Sequence, residues 1–203
     1  MATINSVIID ARYDIRDTQS TLCTDTELLI YANRGLFQLD NVLSAMGSDW
    51  VLTEQDVTID SGNNYATAPT GAIVIREAWI SSTEIIKISP KAVYRKRRSI
   101  NSTGQPKYFA EKGTQSIFEQ TTDQEYTAKT YFDKRATVLV TDASMPYSDE
   151  FNSAVREMIV LLANKRNEKD FYSDTVIYNF FFEKLAGNVV RRNHVPARRK
   201  LDF

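Results

Sequence analysis

The sequence predicts an α+β fold: a helical bundle drawn from both chain ends, an inserted antiparallel β domain, and an extended C-terminal tail. Three observations carry this. Apolar residues recur every three to four positions near the start of the chain and again after Pro146. Between these stretches the period shortens and Gly, Pro, Asn and Ser punctuate it. From Asn188 onward arginines and apolar residues alternate with no amphipathic period. The expected division is residues 1–47 with 143–187 as the helical body, 48–142 as the β-rich insertion, and 188–203 as the tail.

In chain order, Val7, Ile8, Ala11 and Ile15 have helical spacing within 4–18. Thr24-Asp25-Thr26-Glu27 has the form of a capping box, in which the Thr24 hydroxyl and the Glu27 carboxylate each take a backbone N–H that the helix start would leave unpaired. Asp25 adds negative charge at the positive end of the helix dipole. Leu28, Ala32, Leu36, Leu39, Leu43 and Met46 continue as an apolar stripe, and Gly47 suits a left-handed cap. A helix over 25–46 would be about 33 Å long.

Beyond Trp50 the pattern reads as strands. Val51, Leu52, Val57 and Ile59 suggest the first, with a hairpin turn at Ser61-Gly62-Asn63-Asn64. Tyr65–Ile80 is β-rich around the turn Pro69-Thr70-Gly71, and Glu84–Ile88 reads as one short strand. Ser89-Pro90 opens a short helix over about 90–97. Lys107–Glu111, Gln115–Gln120 and Tyr126–Asp133 complete the strands. Phe151, Val155, Met158 and Leu162, with Ile159 beside them, then line one helix face. Ser173-Asp174 caps a last helix carrying Val176, Ile177, Phe180, Phe181 and Leu185, with Gly187 expected to close it.

Composition narrows the function classes. The 25 basic residues nearly balance the 26 acidic ones, unlike the basic excess of a dedicated nucleic-acid binder. A single cysteine, Cys23, fits a reducing site of synthesis and is expected to be unreactive. No apolar run reaches the roughly 18 residues that a membrane span needs. The N-terminus lacks the basic and apolar regions of a signal peptide, so no membrane association is expected. The one histidine, His194, sits in the tail with no rigid element to hold it as a general base. Asp10, Asp14 and Asp17 have helical spacing and read as an exposed acidic face, not a metal site. Neither GxGxxG nor GxxxxGK occurs. No enzyme, metal or cofactor is expected.

Two basic segments remain. Arg95-Lys96-Arg97-Arg98 reads first as a solvated helix end where cations suit the dipole, and second as a contact patch for nucleic-acid phosphate or an acidic partner. The tail holds Arg191, Arg192, Arg198, Arg199 and Lys200 against Asp202, a formal +4. Interleaved with these are Val189, Val190, Val195, Pro196, Leu201 and Phe203, the composition of a segment that orders on docking. Fully extended, it would reach about 55 Å.

The order of these elements resembles the head-to-tail adaptor (connector) proteins of tailed bacteriophages. The resemblance lies in the capped helix TDTELLIYANRGLFQLDNVL, the turn and strand YATAPTGAIVIREAWI, the helix start KISPKAVYRKR, the strand GQPKYFAEKG and the aromatic strand YTAKTYF. The family's Pro-rich turn is replaced here by Phe118-Glu119-Gln120-Thr121-Thr122-Asp123.

The resemblance implies a structural virion protein of the neck, made in the host cytoplasm. It implies a ring, usually of twelve copies, that sits beneath the portal, extends the DNA channel and docks tail or nozzle proteins. DNA would pass without specific binding, and the C-terminal segment would pack on the portal protein. Residues 1–47 hold three basic against six acidic residues, so an acidic body and basic tail would suit contact between copies or with an acidic portal groove. The alternative is a nucleic-acid-binding module using the basic run and the basic tail.

Overall fold

The computed structural model describes residues 2–17, 19–100, 102–147, 149–165 and 173–193. The fold is α+β, and the chain divides into two compact units. One comprises Met1–Trp50 and Ala136–Phe203; the other is Val51–Arg135.

In the helical unit, α1 is Ile4–Asp14 and α2 is Asp25–Ala45. The capping box of α2 is complete: Glu27 N–H donates to Thr24 Oγ1 at 3.2 Å, and Thr24 N–H donates to Glu27 Oε2 at 2.7 Å. Gly47 follows the helix with φ +68°, the left-handed backbone a glycine adopts without Cβ strain. The helix α4 spans Asp149–Asn164, and α5 spans Asp174–Asn193. Leu28, Ala32, Leu36, Leu39 and Leu43 are all buried, with Val42 beside them. They meet Phe151, Val155, Met158, Ile159 and Leu162 of α4 and Ile177, Phe181 and Leu185 of α5. Each such full burial is worth about 2 kcal/mol. Gly35 lets the neighbouring helices approach α2, since a Cβ there would stand 3.4 Å from Met158 and 3.7 Å from Phe181.

Two expectations change here. Helix α1 ends at Asp14, because Arg16 turns to φ +57°, so Asp17 is not on an acidic helical face. Its carboxylate is buried and organises the loop instead. Oδ1 accepts from Thr21 N (2.7 Å) and Leu22 N (3.0 Å), Oδ2 accepts from Cys23 N (2.9 Å), and Arg12 pairs with it at 3.1 Å. Helix α5 does not close at Gly187. It runs through Asn193, because a glycine within a long helix costs only about 1 kcal/mol and is not by itself a stop.

In the β unit, β1 (Leu52–Ile59), β3 (Ala72–Ile80), β4 (Thr83–Glu84) and β8 (Tyr126–Lys134) form one antiparallel sheet in the order β1-β8-β3-β4. The second sheet runs β2 (Tyr65–Thr67), β7 (Gln115–Phe118), β6 (Tyr108–Lys112) and β5 (Ile86–Lys87). Ile59, Ile75 and Phe132 of the first sheet share a core with Phe109 and Phe118 of the second. The helix α3, Pro90–Ser99, lies on the other face of the second sheet, where Val93 packs on Ala110 and Ile117. Alternation along β6 and β7 thus sends phenylalanines to one face and smaller residues to the other.

The β unit is not wholly antiparallel. β5 and β6 pair in parallel, because α3 supplies the crossover such a pair needs. The stretch Glu84–Ile88 breaks at the buried Ile85 into β4 and β5, which belong to different sheets. Ser61–Asn64 does not close a hairpin, because β1 pairs along its whole length with β8. The turn is fastened by Thr122, whose hydroxyl donates to Asp60 O at 2.6 Å and whose N–H donates to Asn63 O at 2.9 Å.

Candidate interaction surfaces

The helical unit buries polar side chains to hold backbone. On α2, Asn33 sits seven residues before Asp40. Asn33 Oδ1 accepts from Leu139 N at 2.7 Å, and Asn33 Nδ2 donates to Leu139 O at 2.9 Å, so the amide pairs with Leu139 as a neighbouring strand would. Asp40 accepts from Ala136 N at 2.8 Å and from the Tyr147 hydroxyl. Burial, and then the adjacent Asp40 carboxylate, push the Tyr147 phenol above its ordinary value. The chain start is tied to the same stretch by Ile4 N to Ala143 O (2.9 Å) and Met145 N to Ala2 O (3.0 Å). These bonds group residues 136–142 with the helices, although their β-like sequence reads as the end of the insertion.

The outward side of that segment is apolar. Leu139 is buried, while Val138 and Val140 on either side of it are 74% and 66% exposed. Ile30 and Phe37, which bracket Asn33 along α2, are exposed too. A second apolar patch lies on α1, where Ile9 and Tyr13 are exposed. One unit therefore carries two unlike apolar patches on different elements. Single exposed apolar residues are ordinary; grouped ones mark contact surfaces.

The C-terminal candidates fall at the edge of what the structure describes. Val189, Val190, Arg191 and Arg192 lie on the last turns of α5, not in an extended tail. Val195, Pro196, Arg198, Arg199, Leu201 and Phe203 lie outside the described residues, as does His194.

The basic run falls on α3, and the structure divides it. Arg97 turns inward: its Nε donates to Phe118 O at 2.7 Å and its Nη2 to Asn64 O at 2.6 Å. Burial lowers the guanidinium pKa, opposed by Tyr94 and Glu119. Lys96 lies 3.9 Å over the Tyr108 ring. Arg95 and Arg98 remain exposed, and so does Lys91 a turn earlier. Sequence reasoning missed Lys91. Its signal was the spacing 91, 95, 98, which puts three cations on one side of a helix. Sequence reasoning also missed Val138 and Val140, whose signal was the alternation in Thr137-Val138-Leu139-Val140-Thr141.

Cys23 is buried. Among the described residues no three His, Cys, Asp or Glu side chains cluster so as to hold a metal, and no helix is long and apolar enough to cross a membrane. The described residues do present contact surface: apolar on the helical unit, cationic on α3. Surfaces of this kind suit contact with other macromolecules. The chain belongs to the SU10 adaptor protein family, a phage head-to-tail adaptor family whose model matches residues 2–198. No curated protein matches the chain.

Proposed function

We propose that the protein assembles as a ring between portal and tail, usually of twelve copies in such adaptors, extending the DNA channel and docking tail components. The exposed apolar surface of the helical unit carries this reading. A closed ring needs heterologous contact, one patch of each copy meeting a different patch of the next. Ile30, Phe37, Val138 and Val140 supply one such patch, and Ile9 and Tyr13 the other. The end of α5 and residues 194–203 then serve as the portal grip, with Arg191, Arg192, Arg198, Arg199, Leu201 and Phe203 as contacts. DNA passes through the channel without sequence-specific binding.

The test is co-sedimentation with portal rings. The parent chain should sediment with the portal in a fixed ratio. Val138→Ser with Val140→Ser should leave the monomer folded and lower the number of copies bound, whereas deletion of 194–203 should abolish binding. Full binding by the truncated chain overturns the portal grip, and full occupancy by the double variant overturns the ring patch.

A further inference from the structure

We propose that the outward stripe of α3, formed by Lys91, Arg95 and Arg98, is a contact surface for the phosphate backbone of double-stranded DNA. Four observations carry it. The three residues stand at i, i+4 and i+7, so one helix face holds all of them over about 10 Å. All three are exposed, and none forms an ion pair among the described residues. The helix carries five cations and no acid, so nothing on it neutralises the stripe. Lys112 Nζ donates to Tyr94 OH at 2.9 Å, which brings a further cation beside the same face.

The face favours a polyanion over a protein. Protein interfaces draw their affinity from a desolvated apolar or aromatic centre. Here Val93, the buried residue of α3, is turned onto the sheet. Tyr94, the one aromatic residue on α3, already has Arg97 and Lys112 near its ring, at 5.2 and 5.4 Å. Around that ring, what faces water is charge at regular intervals. Each strand of duplex DNA offers a phosphate charge about every 3.4 Å of axis, so a 10 Å stripe of three cations matches roughly three of them. Such contact is independent of sequence, falls off steeply with salt, and lets the duplex slide.

This goes beyond the ring reading and does not depend on it, because it needs only a folded β unit. The division of labour within the basic run is part of the proposal: Arg97 holds strands together, and the stripe beside it is free for phosphate.

The experiment measures binding of the full chain to a mixed-sequence duplex by fluorescence anisotropy across 50–200 mM salt. Each neutralised phosphate contributes about 0.9 to the slope of log affinity against log salt. Between those salt concentrations the parent should therefore lose about 40-fold more affinity than Lys91→Ala/Arg95→Ala/Arg98→Ala. The C-terminal cations are present in both chains and cancel. The charge-conserving variant Lys91→Arg/Arg95→Lys/Arg98→Lys should keep the parental slope, with circular dichroism confirming the fold of each. Equal slopes for parent and alanine variant overturn the proposal. So does an alanine variant that loses binding to polyglutamate but not to the duplex, since the surface would then belong to an acidic protein. Portal co-sedimentation of the same variant reads the ring separately and should be unchanged.

Discussion

The two units spend their polar side chains alike and their surfaces differently. In the helical unit Asp17, Asn33 and Asp40 are turned to the backbone of irregular segments. In the β unit Glu119 takes two successive N–H groups, Lys107 at 2.8 Å and Tyr108 at 2.9 Å, and Arg97 takes two carbonyls. The edge of β3 that β4 leaves unpaired is treated the same way: Ile75 N–H donates to Glu111, and Lys87 Nζ donates to Ile75 O at 2.7 Å. Outside, the units part. The helical unit groups Ile30, Phe37, Val138 and Val140 toward water, while the outward stripe of α3 is lysine and arginine, although the β unit also exposes Leu52, Tyr65, Ile86 and Tyr94. Charged residues inside are thus scaffold in both, and what a partner meets differs from one unit to the other.

That comparison can be broken most severely at Asp40. Asp40→Ala leaves the Ala136 N–H and the buried Tyr147 hydroxyl without their acceptor and should cost about 3 kcal/mol in urea unfolding. Asp40→Asn, which keeps one acceptor, should cost about 1 kcal/mol. If both are neutral, the helical unit does not rely on this carboxylate.

The β unit offers the paired test. Arg97→Ala removes two charge-assisted hydrogen bonds and should cost about 2 kcal/mol, while Arg95→Ala, two positions away and exposed, should stay within about 0.5 kcal/mol. Equal losses would erase the distinction between scaffold and surface arginines.

Asp17 sharpens the comparison through pH. Burial by itself would raise its pKa, but the N–H groups of Cys23 and Leu22 and the hydroxyl and N–H of Thr21 together hold it well below the ordinary carboxylate range. The native carboxyl therefore titrates below the unfolded one. Ionised Asp17 stabilises the native state above about pH 4, and that contribution is lost as pH falls toward the native value. The Tm of the parent should decline over this acid range, and Asp17→Asn should flatten the decline while lowering the Tm at neutral pH. An unchanged acid profile would remove Asp17 from the account.

Legibility in the sequence followed the range of the physics. Helices α2 and α4 could be read because their apolar period and their capping or charge signals are local. The left-handed Gly47 and the Ser89-Pro90 start were local as well. Strand partners were not. The Ser61–Asn64 turn looks like a hairpin, yet β1 finds its partner about 70 residues away, and nothing near the turn encodes that choice. The parallel β5–β6 pair was hidden by the shortness of β5. Among the candidate contacts, the basic run was visible as composition. Which cations face out depended on Arg97 meeting Phe118 and Asn64 across the fold. Asn33 and Asp40 did carry a signal, two polar residues on α2, one half-buried and one buried, beside its apolar stripe, and it went unread.

The Asn33 and Asp40 contacts have a mechanical consequence. The polypeptide passes between the two units twice, and the returning segment is fastened as soon as it arrives, at Ala136 by Asp40 and at Leu139 by Asn33. Tension arriving along that returning segment would reach this double clasp before it reached the helices that follow. Both anchors stand on one long helix, seven residues apart, so that load would be shared over two turns of α2.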